Sequence, residues 1–185
     1  DNSLSRYELY AFLYDFAPKY IGGTDSYIVK ELPAPRSAYF IGADKNDVTL
    51  AENPSEITSW QCNPDTRVGD MIVMYVRTPV SAVQSIWRAC SVGFIDPFFY
   101  YYRCVYMSCP IKTSLLTLED MKADETFKTL PIVRKNMQGI NGVELYPSVY
   151  NRLVTRTKAN VLLLEYETTE GDDVYTCEKD VENKL

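Results

Sequence analysis

From Ser37 onward the apolar positions fall mostly in short runs of β-branched and aromatic residues separated by polar turns, the pattern of a sheet and not of a helical bundle. Ala38-Tyr39-Phe40-Ile41-Gly42 reads as a buried strand. Gly69-Asp70 launches the next, Met71 to Val76, which we expect to span 70–77. After a break at Thr78-Pro79, a second β-branched run predicts a returning strand over 82–95. The aromatic stretch from Pro97 to Met107 predicts a third long strand, continued by Cys109-Pro110-Ile111. A short strand at Val143-Glu144-Leu145 follows the turn residues Asn141-Gly142. Between the first two strands, Asn53-Pro54-Ser55 reads as a break that delivers Trp60 in a loop.

Helical spacing is confined to a few places. Ser3 to Phe16 carries a Ser5/Glu8 capping box and places Leu4, Tyr7, Ala11 and Tyr14 on one face. Thr117 suits the N-cap of a short helix whose first turn holds Glu119 and Asp120, where carboxylates complement the helix dipole. Pro147 suits the first position of a helix running to Val154. Residues 161–166 and 173–178 read as a terminal hairpin. The pattern predicts an α+β fold in three parts: a helical arm and connector over 1–36, the main domain over 37–158, and an acidic hairpin or tail over 159–185.

Composition narrows the functions open to such a domain. With 46% hydrophobic and 24% charged residues among 185, the chain is an ordinary globular one. No run approaches the about 18 apolar residues that a membrane span needs, and the N-terminal residues carry no signal pattern, which predicts a cytoplasmic protein with no membrane partner. A net charge of −6 argues against holding long duplex nucleic acid by bulk electrostatics and leaves room only for a local basic face. The five cysteines form no CxxC pair and read as reduced thiols; neither a metal site nor a cofactor is signalled. Histidine is absent, which removes the commonest general base and the Ser-His and Cys-His nucleophile pairs. Glu119 and Asp120 are adjacent and diverge on a helix, a poor acid–base dyad. The inventory points away from an enzyme.

The chemistry-bearing stretch runs from Ser59 to Arg88, where a tryptophan, a Gly-Asp turn and adjacent strands form a plausible floor and lip for a small aromatic pocket. Trp87, inside an apolar run, reads as core, and Asp70 as the cap of the turn that starts its strand.

The order of these parts resembles the EVE domains of the PUA-like superfamily, to which ASCH and YTH domains also belong. It is carried by Trp60, then Val68-Gly69-Asp70 to Tyr75, Gln84 to Val92, Tyr101 to Met107, Leu115 to Met121, the segment Leu130 to Ile140 with Arg134 and Gln138-Gly139, and Tyr146 to Leu153. Where many family members have Tyr-His-Ser, this chain has Tyr75-Val76-Arg77. The resemblance implies a strongly curved or barrel-like mixed sheet with flanking helices. It also implies a non-catalytic module that reads a modified or flipped base of a nucleic acid. Such a module would serve as the specificity part of a larger defence or processing protein with a nuclease or helicase effector.

Reading an unstacked base needs aromatic faces and a few amide or guanidinium groups, and no histidine or metal. On that reading Trp60 and Tyr75 supply faces, Gln61, Asn63 and Gln138 supply edge contacts, and Arg77, Arg88, Arg134 and Lys135 meet phosphates. The competing expectations are a protein-interaction or structural module and a small nucleotide-ligand sensor using the same pocket.

Overall fold

A computed structural model describes residues 28–96 and 102–165. The expected N-terminal helix, residues 97–101 of the aromatic stretch, and the second strand of the terminal hairpin lie outside them.

Seven strands form one mixed sheet: β1 (Ala38–Ala43), β2 (Thr58–Gln61), β3 (Met71–Val76), β4 (Ala82–Ala89), β5 (Phe94–Asp96), β6 (Tyr102–Thr117) and β7 (Val143–Leu145). Their order is β2-β6-β4-β3-β1-β7, with β5 also paired to β6. β1 runs parallel to β3, with Gly42 opposite Tyr75; the other pairs are antiparallel. The helices are α1 (Leu118–Ala123), α2 (Pro131–Arg134) and α3 (Pro147–Thr157), with 3-10 turns at Lys45–Glu52 and Phe127–Thr129.

Strand alternation sorts the apolar residues into two cores. Phe40, Met71, Val73, Tyr75 and Ile86 pack with Met121, Phe127, Tyr150 and Leu153 under the helices. Tyr39, Ile41, Ile72, Met74, Trp87 and Met107 form the second core, and Trp60 packs against it. Trp60 belongs to β2 and Ile41 to β1, strands near opposite ends of the sheet order, so the sheet must curl around this second core. Its ends meet without a ladder. Trp60 Nε1 donates to Gly42 O at 3.0 Å, Asn63 Nδ2 to Gly142 O at 2.9 Å, and Asn141 Nδ2 to Gln61 Oε1 at 2.9 Å. The expected α+β architecture, a barrel-like mixed sheet with flanking helices, is the one observed.

Several local expectations change. Trp60 sits on a strand, not in a loop: the short polar segment Thr58–Gln61 is held extended by pairing with Cys104–Met107. The 82–95 strand breaks after Ala89, and β5 resumes at Phe94. β6 runs on through Pro110 to Thr117. Cys109 adopts φ 52° there, and the β4–β6 register shifts between Ile86 and Arg88, so Pro110, which has no N–H to donate, sits in a bulge. The helix at Pro147 extends to Thr157. Residues 161–165 pair with no strand among the described residues. Asn151 instead holds them to α3 by exchanging bonds with the backbone N–H and C=O of Leu164, both at 2.9 Å, while the Tyr150 hydroxyl donates to Leu162 O.

Two capping expectations are met. The Thr117 side chain accepts from Asp120 N, and the Asp120 carboxylate accepts from Thr117 N, a reciprocal box at the start of α1. The buried Asp70 carboxylate accepts from Arg36 N and Ser37 N at 3.1 Å and from Arg67 N at 2.8 Å, which fixes the turn before β3 and the approach to β1.

Candidate nucleic-acid interface

The parallel pairing of β1 and β3 brings their C-terminal ends to one edge of the sheet, with Gly42 beside Tyr75. Beyond β3 the chain reverses over 77–81, where Val80 N and Ser81 N both donate to Arg77 O. Leu118 N then donates to Ser81 O at 2.9 Å, which ties this lip to the start of α1. The facing wall is the loop after α2. Asn136 and Met137 take φ 52° and 62°, a pair of left-handed residues that costs of order 1–3 kcal/mol each and that tertiary contacts must hold in place. Met137 supplies one such contact, being buried in the core under the helices.

Between the walls lies a cavity of about 570 Å³, within the usual range for a small-molecule site. Its apolar surface comes from Tyr75, Leu118, Met137 and Ile140, and its polar surface from Gln61, Arg77, Ser81, Asn136, Gln138 and Asn141. Asn141 organises the floor: its Oδ1 accepts from Gly42 N at 2.7 Å while its Nδ2 donates to Gln61 Oε1. With its oxygen occupied, the Gln61 carboxamide offers its N–H groups to a ligand. A second cavity of about 430 Å³ adjoins the first through Gly42, Gln61, Arg77 and Asn141, and adds Trp60, Asp44 and Asp47. Arg77 lines both, and its guanidinium meets the Asp44 carboxylate at 3.0 Å with both groups exposed.

The sequence-predicted residues distribute unevenly over this arrangement. Gln61, Tyr75, Arg77 and Gln138 come together at the first cavity. Trp60 reaches only the second, so the two aromatic rings do not face one another across a single pocket. Tyr75 is 3% exposed, and burial pushes its phenol pKa up against the opposing pull of a hydrogen bond with Ser81. It gives the cavity a wall and not an open stacking face. Asn63 serves the scaffold, its Nδ2 on Gly142 O and its Oδ1 accepting from Asp65 N at 2.9 Å. Arg88 does likewise: its guanidinium donates to Gly69 O at 2.8 Å and to Pro33 O, clamping the connector to β4, and it lines neither of the two cavities. Lys135 lines a third cavity beside β7, and Arg134 is exposed on α2.

Sequence reasoning missed Ser81, Asn136 and Asn141. The available signal was the polar run Asn136 to Gly142, of which Gln138 was read as an edge contact and Asn141-Gly142 only as a turn.

No protein-family model matches the chain, and no curated protein does. Solved structures are similar. Protein Atu2648 from Agrobacterium tumefaciens aligns with a TM-score of 0.55 at 11% identity, covering 71% of this chain and 99% of its own, which shows a shared fold. The structural neighbours also include ASCH and YTH domains. ASCH from Zymomonas mobilis has a TM-score of 0.44 at 14% identity, with 65% of this chain and 95% of that one covered. The YTH domain of the Zygosaccharomyces rouxii MRB1 protein, in complex with N6-methyladenosine RNA, has 0.45 at 10%, with 74% and 97% covered.

Proposed function

We propose that this chain is a non-catalytic nucleic-acid-binding module of the EVE type, PUA-like in fold, that holds a modified or flipped base in the cavity at the ends of β1 and β3. The reading continues to its context, the specificity part of a larger defence or processing protein. The observation that carries it is the floor built by Asn141, which presents the Gln61 amide beside Asn136 and Gln138 over an apolar wall of Tyr75, Met137 and Ile140. Carboxamides pair with the Watson–Crick and Hoogsteen edges of a base, and apolar walls enclose its faces. Arg77 at the rim is placed for a phosphate. The groups on the lining are amides, hydroxyls and a guanidinium, which suit reading and not proton transfer.

The test is binding of short single-stranded DNA and RNA carrying unmodified, methylated and hydroxymethylated bases. Gln138 is exposed, so Gln138→Ala should leave the melting temperature unchanged while weakening the preferred oligonucleotide about 3- to 10-fold, the value of one hydrogen bond. Equal binding by parent and variant removes the amide-reading site. A parent that binds none of the oligonucleotides favours the protein-interaction alternative, for which the exposed Leu162 beside Ile111 provides an apolar surface.

A further inference from the structure

The third cavity, about 320 Å³, lies along β7 and shares Gln138 and Gly139 with the base cavity, so the two flank a single loop. At Gly139 that loop carries no side chain. Gly139 has φ 74°, and beyond its chain neighbours a Cβ built on it would find no atom within 4 Å, so no side chain rises at that residue between the two hollows. On the far side stands Tyr146, the N-cap residue of α3, 49% exposed where most large hydrophobic side chains of the domain are buried. Lys135 and Glu144 complete the polar lining, and Lys135 makes no ion pair among the described residues.

We propose that this hollow is the subsite for the nucleotide next to the base held by Gln61 and Asn141. It rests on the base-reading function above. The neighbouring base stacks on Tyr146, and the linking phosphate passes the loop at Gly139 toward Lys135. Each part matches a chemical demand of a single strand: an aromatic face for any base and a cation for the phosphate. A glycine at the crossing leaves room for a sugar–phosphate backbone to step from one hollow to the next. The site therefore takes a dinucleotide step.

The experiment compares the nucleoside monophosphates, unmodified and methylated, with single-stranded trinucleotides of DNA and RNA, using parent, Tyr146→Ala and Tyr146→Phe. The expected result is that trinucleotides bind more tightly than monophosphates. Tyr146→Ala should reduce trinucleotide affinity roughly 5- to 150-fold, the factor one stacked base is worth, and leave monophosphate affinity unchanged. Tyr146→Phe should retain the parental affinity, since the ring face is kept, and exposure makes both variants compatible with an unchanged melt. Parental trinucleotide binding by Tyr146→Ala overturns the subsite. So does a parent that binds monophosphates and trinucleotides equally, a result that leaves the base cavity standing. If the parent binds neither, the base-reading function fails and the subsite falls with it.

Discussion

The two tryptophans show how one residue type does different work on one sheet. Trp87 is fully buried in the core inside the curl, its indole nitrogen donating to Ser85 Oγ at 2.9 Å, and Trp87→Ala is predicted to cost about 3–5 kcal/mol. Trp60 is half-buried and its indole holds Gly42 O, so Trp60→Ala strips a partner from a buried carbonyl and should cost about 1–3 kcal/mol. Urea unfolding of both variants checks the order; a Trp60 variant as stable as the parent would show that the bond to Gly42 holds nothing. Asp124 makes a complementary case. Burial pushes its pKa up, but the Thr126 N–H and the guanidinium groups of Arg152 and Arg156 outweigh that and hold it below the usual carboxylate value. A lowered folded-state pKa means stability fully present above the unfolded value and lost as pH falls through the folded one. Asp124→Asn should therefore lose about 1–3 kcal/mol at pH 7, discounted toward the low end because both arginines are partly exposed, and the deficit should shrink below about pH 4. Unfolding free energies measured across that range decide it.

At the scale of elements, the seam where the sheet ends meet is the feature on which the site depends. Gly142, at φ 81°, packs so closely on β2 that an added Cβ would lie 2.7 Å from Asn63 N, whereas Gly139, also left-handed at φ 74°, has empty space around it. Gly139→Ala should cost only its backbone strain, about 1 kcal/mol, and Gly142→Ala that strain plus about 1–3 kcal/mol of overpacking. Equal melting temperatures for the two would mean the seam yields freely. Elements whose cause is local were legible in the sequence: β1, β3, β7, the Thr117 box and the start of α3 at Pro147. The strand character of Thr58–Gln61 was not, because a short polar segment acquires it only from a partner distant in the chain. The passage of β6 through Pro110 was legible in the run, but the bulge that accommodates it was not, because it is a property of the pair. The same division runs through the site. Tyr75, Arg77, Gln61 and Gln138 stood out through the order of motifs, while Asn141 and Ser81 gain their roles only when the curl brings Gly42, Gln61 and α1 to them.

For the molecule as a whole, a net charge of −6 leaves nucleic-acid binding to a few local cations. With Arg77 and Lys135 as phosphate contacts, log affinity should fall with log salt at a slope of about −0.7 per contact on a single strand, and Arg77→Ala should reduce that slope by about the same amount. Titration at the alkaline end reports on both cores. Burial raises the phenols of Tyr39, Tyr75 and Tyr150 and the thiols of Cys62 and Cys90 above their ordinary values of 10.0 and 9.0. Groups raised on folding stabilise fully below their unfolded values, so the melting temperature should hold steady to about pH 8 and fall as pH passes those values. A melting temperature that does not fall up to pH 11 contradicts this. The seam has a kinetic consequence as well. Because Trp60, Asn63 and Asn141 clasp the sheet with side-chain bonds in place of a ladder, β2 is laddered on one side only, to β6, and can lift away while β3, paired on both sides, stays in place. Deuterium should therefore enter the amides of Thr58–Gln61 sooner than those of β3, and a bound ligand resting on Gln61 should slow that entry, making the clasp the timekeeper of release.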